Sequence, residues 1–251
     1  GMTRILKIGG SILTDKSRSL AARPEEIDRI AAEIATSPED LVLVHGAGSF
    51  GHIPAKRFGL PHNFSREGLR ITHLSVARLC EMVVEALGRA GVECLPVHPL
   101  STAMLRQGRI ESFFLEPLLE MIKEGIMPVL HGDVAMDASK GAAIVSGDQL
   151  VAYLAGQLQA EIVAVGSNVD GVLVSGKPLP KLSRGDLSLF QSDIGASAGV
   201  DVTGGMRGKL LELLELADRG TESVIFHAGR EGNIIRALKG ERVGTRIVRW
   251  K

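Results

Sequence analysis

Three lysines lie beside glycine-rich segments of this sequence, and that pairing is suited to binding phosphate. Lys7 and Lys16 flank the segment IGGSILTD, and Lys209 follows the segment DVTGGMRG. Glycine lets backbone N–H groups approach phosphate oxygens closely, and a lysine ammonium group neutralises their charge. A single lysine of this kind is usually a solvated surface charge, but three beside glycine loops favour a phosphate site.

Glycine-rich segments recur along the chain, and each follows a predicted strand or begins a predicted helix. They are KIGGS (7–11), HGAGSFGH (45–52), GSNVDG (166–171) and DVTGGMRGK (201–209). A helix N-terminus adds partial positive charge to the amides at such a loop. Several loops of this type that converge could hold several phosphate groups.

His52, in the second of these segments, best separates the possible substrates. An imidazole that donates to a phosphate oxygen suits a phosphorylated or phosphonate substrate, whereas a carboxylate substrate does not require it. The alternative is that His52 caps a loop carbonyl. His45 and His131 are predicted to be structural or to support the site. The other histidines have no spacing typical of a metal site; they are His62, His73, His98 and His227.

Two familiar nucleotide-binding patterns are not satisfied. HGAGSFG matches G-x-G-x-x-G after a predicted strand, but that fold has an acidic residue about twenty positions later at a strand end. Here Glu67 begins a predicted helix instead. GGMRGK is one residue short of P-loop spacing and is followed by Leu210, where a P-loop has Ser or Thr. An NAD or FAD enzyme is therefore disfavoured, and the P-loop is excluded.

The composition excludes several classes of protein. The 251 residues include 29 Lys+Arg and 29 Asp+Glu, so the formal net charge is zero, unlike that of a basic nucleic-acid binder. No apolar run reaches the roughly 18 residues that span a bilayer, and no leader pattern is recognised, so we expect a cytoplasmic protein without a membrane partner. Cys80 and Cys94 lack disulfide or zinc spacing and are expected to be buried, reduced thiols.

Short apolar runs alternate with longer amphipathic stretches. The runs predict buried strands at 5–8, 41–45, 92–97, 127–130, 162–165 and 224–226. The amphipathic stretches predict helices at 24–35, 67–89, 116–124, 149–158, 207–219 and 232–238. This alternation predicts an α/β fold whose mainly parallel sheet is covered on both faces. Residues 135–144 resemble a hairpin turn.

The predicted helix 67–89 carries more apolar residues than one contact with a sheet requires. Arg78, Glu81, Glu85 and Arg89 form a polar stripe at spacings of three and four, and apolar residues fill most remaining positions. The surplus fits a wide core face or a subunit interface, and it also fits the wall of an apolar ligand pocket. Leu100, Met104 and Leu105 could add to such a pocket.

The motifs, taken in order, resemble a known family. KIGGSILTDK, LVLVHGAGSFGH, HGDVA, SGDQ, VDGV and DVTGGMRGK are similar to the amino acid kinase superfamily, and most closely to isopentenyl phosphate kinases of the archaeal type. The resemblance covers nearly the whole chain. It implies an α/β fold, a three-layer αβα sandwich with a mainly parallel central sheet. It also implies one domain, 1–251, with an acceptor-binding half of about 1–131 and an ATP-binding half of about 132–251.

The resemblance implies roles for individual residues. Lys7, Lys16, His52, Asp148 and Lys209 would be catalytic, with Asp148 orienting the lysines and His52 binding the acceptor phosphate. The other residues would contact ATP or the acceptor: Gly9, Gly10, Ser11, Gly48, Asn168, Asp170, Gly171, Gly204 and Gly205 for ATP, and Ala47, Gly48 and Gly147 for the acceptor. Relatives usually have Asp where this chain has Asn168, which leaves the nucleotide contacts there open.

The implied activity is ATP-dependent phosphorylation of isopentenyl phosphate to isopentenyl diphosphate in the mevalonate pathway of isoprenoid biosynthesis. Magnesium would act with ATP, held mainly by phosphate and water ligands, and a homodimer is usual for the family. No protein-held metal and no nucleic-acid partner are expected. The alternatives are a kinase for another small phosphate or phosphonate, such as a fosfomycin-like compound, a uridylate or acylglutamate kinase, and a nucleotide-sensing relative without catalysis.

Overall fold

The computed structural model describes residues 2–18, 20–60, 62–186 and 205–251. Its strands are β1 (Arg4–Ile8), β2 (Leu41–His45), β3 (Cys94–Pro96), β4 (Ala103–Arg106), β5 (Arg109–Phe113), β6 (Met127–His131), β7 (Asp133–Asp137), β8 (Gly141–Val145), β9 (Ile162–Ser167), β10 (Leu173–Val174), β11 (Lys177–Pro178), β12 (Lys181–Leu182), β13 (Ser223–His227) and β14 (Thr245–Ile247). Its helices are α1 (Gly10–Leu13), α2 (Pro24–Ala35), α3 (Ser49–Phe58), α4 (Arg66–Arg89), α5 (Pro99–Thr102), α6 (Glu116–Lys123), α7 (Gly147–Leu158), α8 (Gly205–Asp218) and α9 (Asn233–Leu238).

The central sheet has the strand order β12-β14-β13-β9-β1-β2-β6-β3. All neighbouring pairs are parallel except β13 with β14. The first strand of the chain thus lies in the interior of the sheet, between β2 and β9. At the carboxyl edge of a parallel sheet, the loops after two neighbouring strands can turn to opposite faces of the sheet. The crevice that opens between these two loops is where ligands bind.

Helices cover both faces of this sheet. Leu6 and Ile8 of β1 pack in one core with α2, α4 and α9, whereas Ile5 of the same strand packs in a second core with α7 and α8. Successive side chains of a strand point to opposite faces, so an uninterrupted apolar strand is the pattern that two covered faces require. The predicted αβα sandwich with a mainly parallel sheet is confirmed.

A smaller sheet, with the order β5-β4-β7-β8, packs into the second core. The predicted turn near 135–144 joins β7 to the antiparallel strand β8. The pair β4 and β5 is a second hairpin, which the sequence analysis did not predict. No helix of the described ranges is long and apolar enough to cross a membrane.

Helix α3 was also not predicted, because its sequence contains Pro54 and begins in a glycine-rich segment. A proline inside a helix lacks the N–H that would bond to the carbonyl four residues earlier. Here that carbonyl belongs to Phe50, and the Ser75 hydroxyl of α4 donates to it at 2.5 Å. Helix α3 therefore continues through Pro54 and is joined to α4.

The loops after β1 and β2 contact each other backbone to backbone. A Cβ atom on Gly10 would lie 2.3 Å from the Gly48 nitrogen, and one on Gly46 would lie 2.4 Å from the Gly10 nitrogen. Gly48 also has a φ of 53°, which favours glycine. The next residue, Ser49, donates its N–H to Thr14 Oγ1 at 3.1 Å and so joins the second loop to the end of α1. Part of the glycine content therefore serves to bring two loops together, in addition to any contact with a ligand.

We predict that Gly46→Ala destabilises the protein. The added methyl group would overlap the backbone of Gly10, and overpacking of this kind costs about 1–3 kcal/mol. The matched control is Gly88→Ala in α4, where a Cβ atom meets nothing within 4 Å. That change should raise stability by about 0.5 kcal/mol. Urea denaturation measures both, and an equal stability change in the two variants would contradict the backbone contact.

Candidate active site

A cavity of about 840 Å³ lies at the carboxyl edge of the central sheet. The ends of β1, β2, β6 and β9 reach this edge together, and so do the first turns of α3, α7 and α8. Residues of β1, β9 and the three helices line the cavity, together with residues of the loops directly after β2 and β6. The glycine-rich segments that lie far apart in the sequence are brought together there by the strand order.

One carboxylate oxygen at the cavity binds two lysines. Lys7 Nζ lies 2.7 Å from Asp148 Oδ1, and Lys209 Nζ lies 3.1 Å from the same oxygen. The three side chains are at most 17% exposed. Two positive charges meet one negative charge here, so the group carries a surplus positive charge. A buried surplus of this sign is suited to an anionic ligand.

Local sequence explains why Asp148 and Lys7 meet. Ser146 caps α7 by accepting the N–H of Gln149 at 3.1 Å, which fixes the first turn of the helix. Asp148 lies in that turn, where the helix dipole favours a negative charge. A Cβ atom on Gly147 would lie 3.0 Å from Lys7 Cε, so glycine at this position leaves room for the lysine side chain.

Burial and charge shift the titration of this group. Burial alone would raise the pKa of Asp148, but the charges and hydrogen bonds of Lys7 and Lys209 hold it below its usual value. Burial, and after it the charge of Lys7, lower the pKa of Lys209 to about 8, against the opposing effect of Asp148. Lys209 is thus an ammonium group whose positive charge is incompletely compensated.

Lys16 and His52 line the same cavity. Lys16 is exposed in the turn after α1, and His52 lies in the first turn of α3, where its N–H bonds to the Gly48 carbonyl at 3.0 Å. Burial lowers the pKa of His52, and the charges of Lys16 and Lys7 lower it further. All three predicted lysines and the predicted histidine therefore converge on one space.

Most of the other predicted residues also line this cavity: Gly9, Gly10, Ser11, Ala47, Gly48, Gly147, Asn168, Gly171 and Gly205. Asp170 does not; its carboxylate forms two bonds with the Arg230 guanidinium, at 2.6 and 3.1 Å, in an exposed ion pair. Gly204 lies outside the described residues. Further lining residues were not singled out from the sequence, among them Thr72, Asp133 and Glu212.

One part of the cavity wall is apolar. Ala55 of α3, Val76 of α4, Val134 of β7 and Ile144 of β8 line it. The surplus apolar surface predicted for α4 thus divides between this wall and the core, where Leu79 and Val83 are buried. The predicted contributions of Leu100, Met104 and Leu105 are wrong, because none of them lines the cavity.

A model of the amino acid kinase family matches residues 2–227 of the chain. The chain belongs to the amino acid kinase family. The resemblance inferred from the motifs is confirmed by relatives that cover almost its full length. The isopentenyl phosphate kinase of Methanothermobacter thermautotrophicus is 37% identical over 97% of this chain and 98% of its own length. That of Haloferax volcanii is 39% identical over 97% of each.

A solved structure from the same family also matches this chain over almost its full length. An X-ray structure of isopentenyl phosphate kinase matches it with a TM-score of 0.86 at 32% identity. The match covers 98% of this chain and 100% of the other. The family and the site together describe a small-molecule phosphotransferase, with a cationic cavity that suits phosphate groups.

We predict that binding of tripolyphosphate takes up protons near pH 8. The anion favours the charged form of Lys209, so it should raise the pKa from about 8 and shift roughly half a proton onto the protein at pH 8. Affinity should fall as the pH rises above 8, because the unbound lysine is then increasingly neutral. Titration calorimetry in two buffers of different ionisation enthalpy measures the uptake.

The matched control for this titration is Lys209→Arg, whose guanidinium stays protonated throughout. It should bind tripolyphosphate without the proton uptake near pH 8. An equal uptake in both proteins would assign the proton to another group and contradict the role of Lys209.

Proposed function

We propose that this kinase transfers the γ-phosphoryl group of ATP to isopentenyl phosphate and forms isopentenyl diphosphate. The observation that carries the proposal is the combination in one cavity of Lys7, Lys16, Lys209 and His52 with an apolar wall. Cations and a histidine suit a phosphate head, and the apolar wall suits a hydrocarbon tail. The relatives named isopentenyl phosphate kinases support the same assignment.

In this proposal the cations lower the barrier by charge neutralisation. An oxygen of the acceptor phosphate bonds to the γ-phosphorus while the bond from that phosphorus to the ADP oxygen breaks. Both reactants are anions, so positioned positive charge is the main requirement. Lys7 and Lys16 lie beside the transferring group, Lys209 binds the ATP phosphates, and Asp148 orients Lys7 and Lys209. A general base is unnecessary because the acceptor phosphate is already ionised at neutral pH.

His52 binds the acceptor phosphate in this proposal. Its pKa is lowered in the structure, and a phosphate dianion would raise it again by favouring the imidazolium. Among the described residues the cations that line the cavity are lysines, and no arginine is present to form a bidentate pair with a carboxylate. This lining favours a phosphate acceptor over an amino acid.

The glycine loops complete the proposed substrate sites. Ala47, Gly48 and Gly147 contact the acceptor. The ATP site is formed by Lys7, Lys209, Gly9, Gly10, Ser11, Gly48, Asn168, Gly171 and Gly205, with Gly204 and Asp170 proposed from the resemblance alone. We propose an acceptor-binding half of about 1–131 and an ATP-binding half of about 132–251, with the loop 9–11 and Gly147 each reaching the site formed mainly by the other half.

Magnesium fits this site as an ion that arrives with the nucleotide. Within the described ranges no cluster of three or more His, Cys, Asp or Glu side chains is arranged to hold a metal. Asp148 already binds two ammonium groups, and Glu212 pairs with Arg109. We therefore propose that Mg²⁺ takes phosphate oxygens and water as ligands, and that it neutralises charge on the ATP phosphates.

We also propose that the protein is a homodimer. Leu74 and Met82 lie on one exposed side of α4, and Leu95 is exposed on the edge strand β3; these side chains are 50%, 39% and 47% exposed. Apolar side chains exposed on one helix and the adjacent sheet edge are typical of a subunit contact. Light scattering should give twice the chain mass, and a mass of 26.7 kDa would contradict the dimer. A cytoplasmic location and a place in the mevalonate pathway stay predictions.

A coupled assay of ADP release tests the proposed reaction. Isopentenyl phosphate should give turnover well above the ATPase background, because its phosphate and its tail both match the cavity. The comparison substrates are fosfomycin, uridylate and N-acetylglutamate, which represent the alternative acceptors. Turnover with one of these and none with isopentenyl phosphate rejects the assignment, and ATP binding without any turnover favours a nucleotide sensor.

The control for this assay is Lys16→Ala. Loss of a charge that stabilises the transition state should lower kcat by about a hundredfold to a thousandfold, with a smaller effect on ATP binding. An unchanged kcat would contradict the catalytic role of Lys16 while leaving the acceptor assignment intact.

A further inference from the structure

Four histidines and an aspartate form a cluster beside the cavity. His45 and His131 pair on the neighbouring strands β2 and β6, are fully buried, and have ring centroids 5.7 Å apart. His98 and His131 have centroids 5.0 Å apart, and His73 and His98 have centroids 5.2 Å apart. Asp133 begins β7 and accepts a bond from His73. The proposed reaction uses none of the four imidazoles directly.

The hydrogen bonds determine which ring nitrogens carry protons. His45 Nδ1 lies 2.8 Å from the Gly46 carbonyl oxygen, and His131 Nδ1 lies 2.8 Å from the Gly132 carbonyl oxygen. A carbonyl oxygen only accepts hydrogen bonds, so each Nδ1 is the donor. Both buried histidines therefore hold the carbonyl group of the glycine that follows them.

The same reasoning extends through the rest of the cluster. A neutral imidazole has one N–H, so His131 Nε2 is an acceptor. His98 Nδ1 lies 2.7 Å from that nitrogen and must carry the proton of the bond. His73 Nδ1 lies 2.8 Å from Asp133 Oδ1 and donates to the carboxylate. The hydrogen bonds thus select the Nδ1–H tautomer for all four rings when they are neutral.

Burial keeps the central rings neutral. The pKa of His45 is lowered to about 3, chiefly by burial, and the nearby charge of Lys7 acts in the same direction. Burial also lowers the pKa of His131, which faces Asp133, His98 and His73, and that of His98, which faces His73 and Asp133. A proton added to His131 Nε2 would face the His98 N–H, donor against donor, so the cluster keeps its shape only when His131 is neutral.

The held carbonyl groups control the backbone that lines the cavity. In a planar trans peptide the C=O and the following N–H point in opposite directions. The bond from His45 to the Gly46 carbonyl therefore sets the direction of the Ala47 N–H. Ala47 lines the cavity, and its N–H has no acceptor among the described residues. Gly132 packs against Ala47, since a Cβ atom on Gly132 would lie 3.6 Å from the Ala47 nitrogen.

We propose that His45 and His131, held by His98, are positioning residues that aim the Ala47 amide at the acceptor phosphate. This inference deepens the proposed function and rests on it for the identity of the ligand. The cluster acts through the backbone: His45 fixes the Gly46 carbonyl and so leaves the Ala47 amide directed into the cavity, and His131 fixes the carbonyl of Gly132, which packs against Ala47. Neither histidine touches the substrate.

The tautomers test the cluster without any substrate. In protein labelled with ¹⁵N-histidine, a long-range ¹H–¹⁵N spectrum distinguishes a protonated Nδ1 from a protonated Nε2, and single His→Asn variants assign the signals. His45 and His131 should show the Nδ1–H tautomer at neutral pH, and His45 should keep it down to about pH 5. An Nε2–H tautomer at either residue would overturn the proposal.

The functional test compares His45→Asn with His45→Leu. The asparagine amide can replace the Nδ1–H donor, whereas leucine fills the space and donates nothing. His45→Leu should raise KM for isopentenyl phosphate up to about tenfold, the value of one hydrogen bond, and leave KM for ATP nearly unchanged. His45→Asn should recover most of the loss. Equal losses in both variants, or an equal rise in both KM values, would indicate a merely structural role and overturn the proposal.

A second pair of variants covers the case in which His45→Leu does not fold. His98 is only half-buried, so His98→Asn and His98→Leu should both fold, and the same order of KM values is expected. If the wild-type protein does not phosphorylate isopentenyl phosphate, the proposed function fails. The tautomer measurement still decides whether His45 and His131 hold the two carbonyl groups.

Discussion

The site depends on one carboxylate oxygen that binds two lysines. Asp148 Oδ1 accepts from Lys7 and Lys209, so three elements, β1, α7 and α8, must meet at the carboxyl edge of the sheet. One buried carboxylate neutralises only one of the two ammonium groups, and the remaining positive charge suits phosphate groups. Removal of Asp148 would leave two buried like charges side by side, so the same contact holds the fold together at this edge and prepares the site.

Hydrophobic periodicity predicted the layers of the fold because burial of the sheet on both faces requires a simple sequence pattern. Strands such as Leu41–His45 are apolar at nearly every position, and helices such as Pro24–Ala35 carry one apolar side. Helix α3, which periodicity does not predict, has an equally physical explanation. Helix α3 contains a proline, and its unpaired carbonyl is satisfied by Ser75, a contact between residues 25 positions apart that no local pattern records.

The residues of the candidate site were predicted by resemblance and by their types, and their placement depends on tertiary contacts. Lys7, Lys209 and Asp148 were assigned to one site, but only the structure shows that they share a single oxygen. Asp170 was assigned to the nucleotide by resemblance, and the structure gives it Arg230 as a partner instead. The apolar wall combines α3, α4, β7 and β8, so sequence position alone could not identify its members.

The position of β1 inside the sheet bears on how the chain assembles. This strand precedes the other strands of the structure along the chain, yet it needs β9 on one side, and Lys7 meets a carboxylate 141 residues further along. Closing so long a loop is slow and yields little until the later elements exist. On the ribosome, β1 can pair with β2 early but waits for β9, and the cationic cavity forms only after most of the chain has emerged.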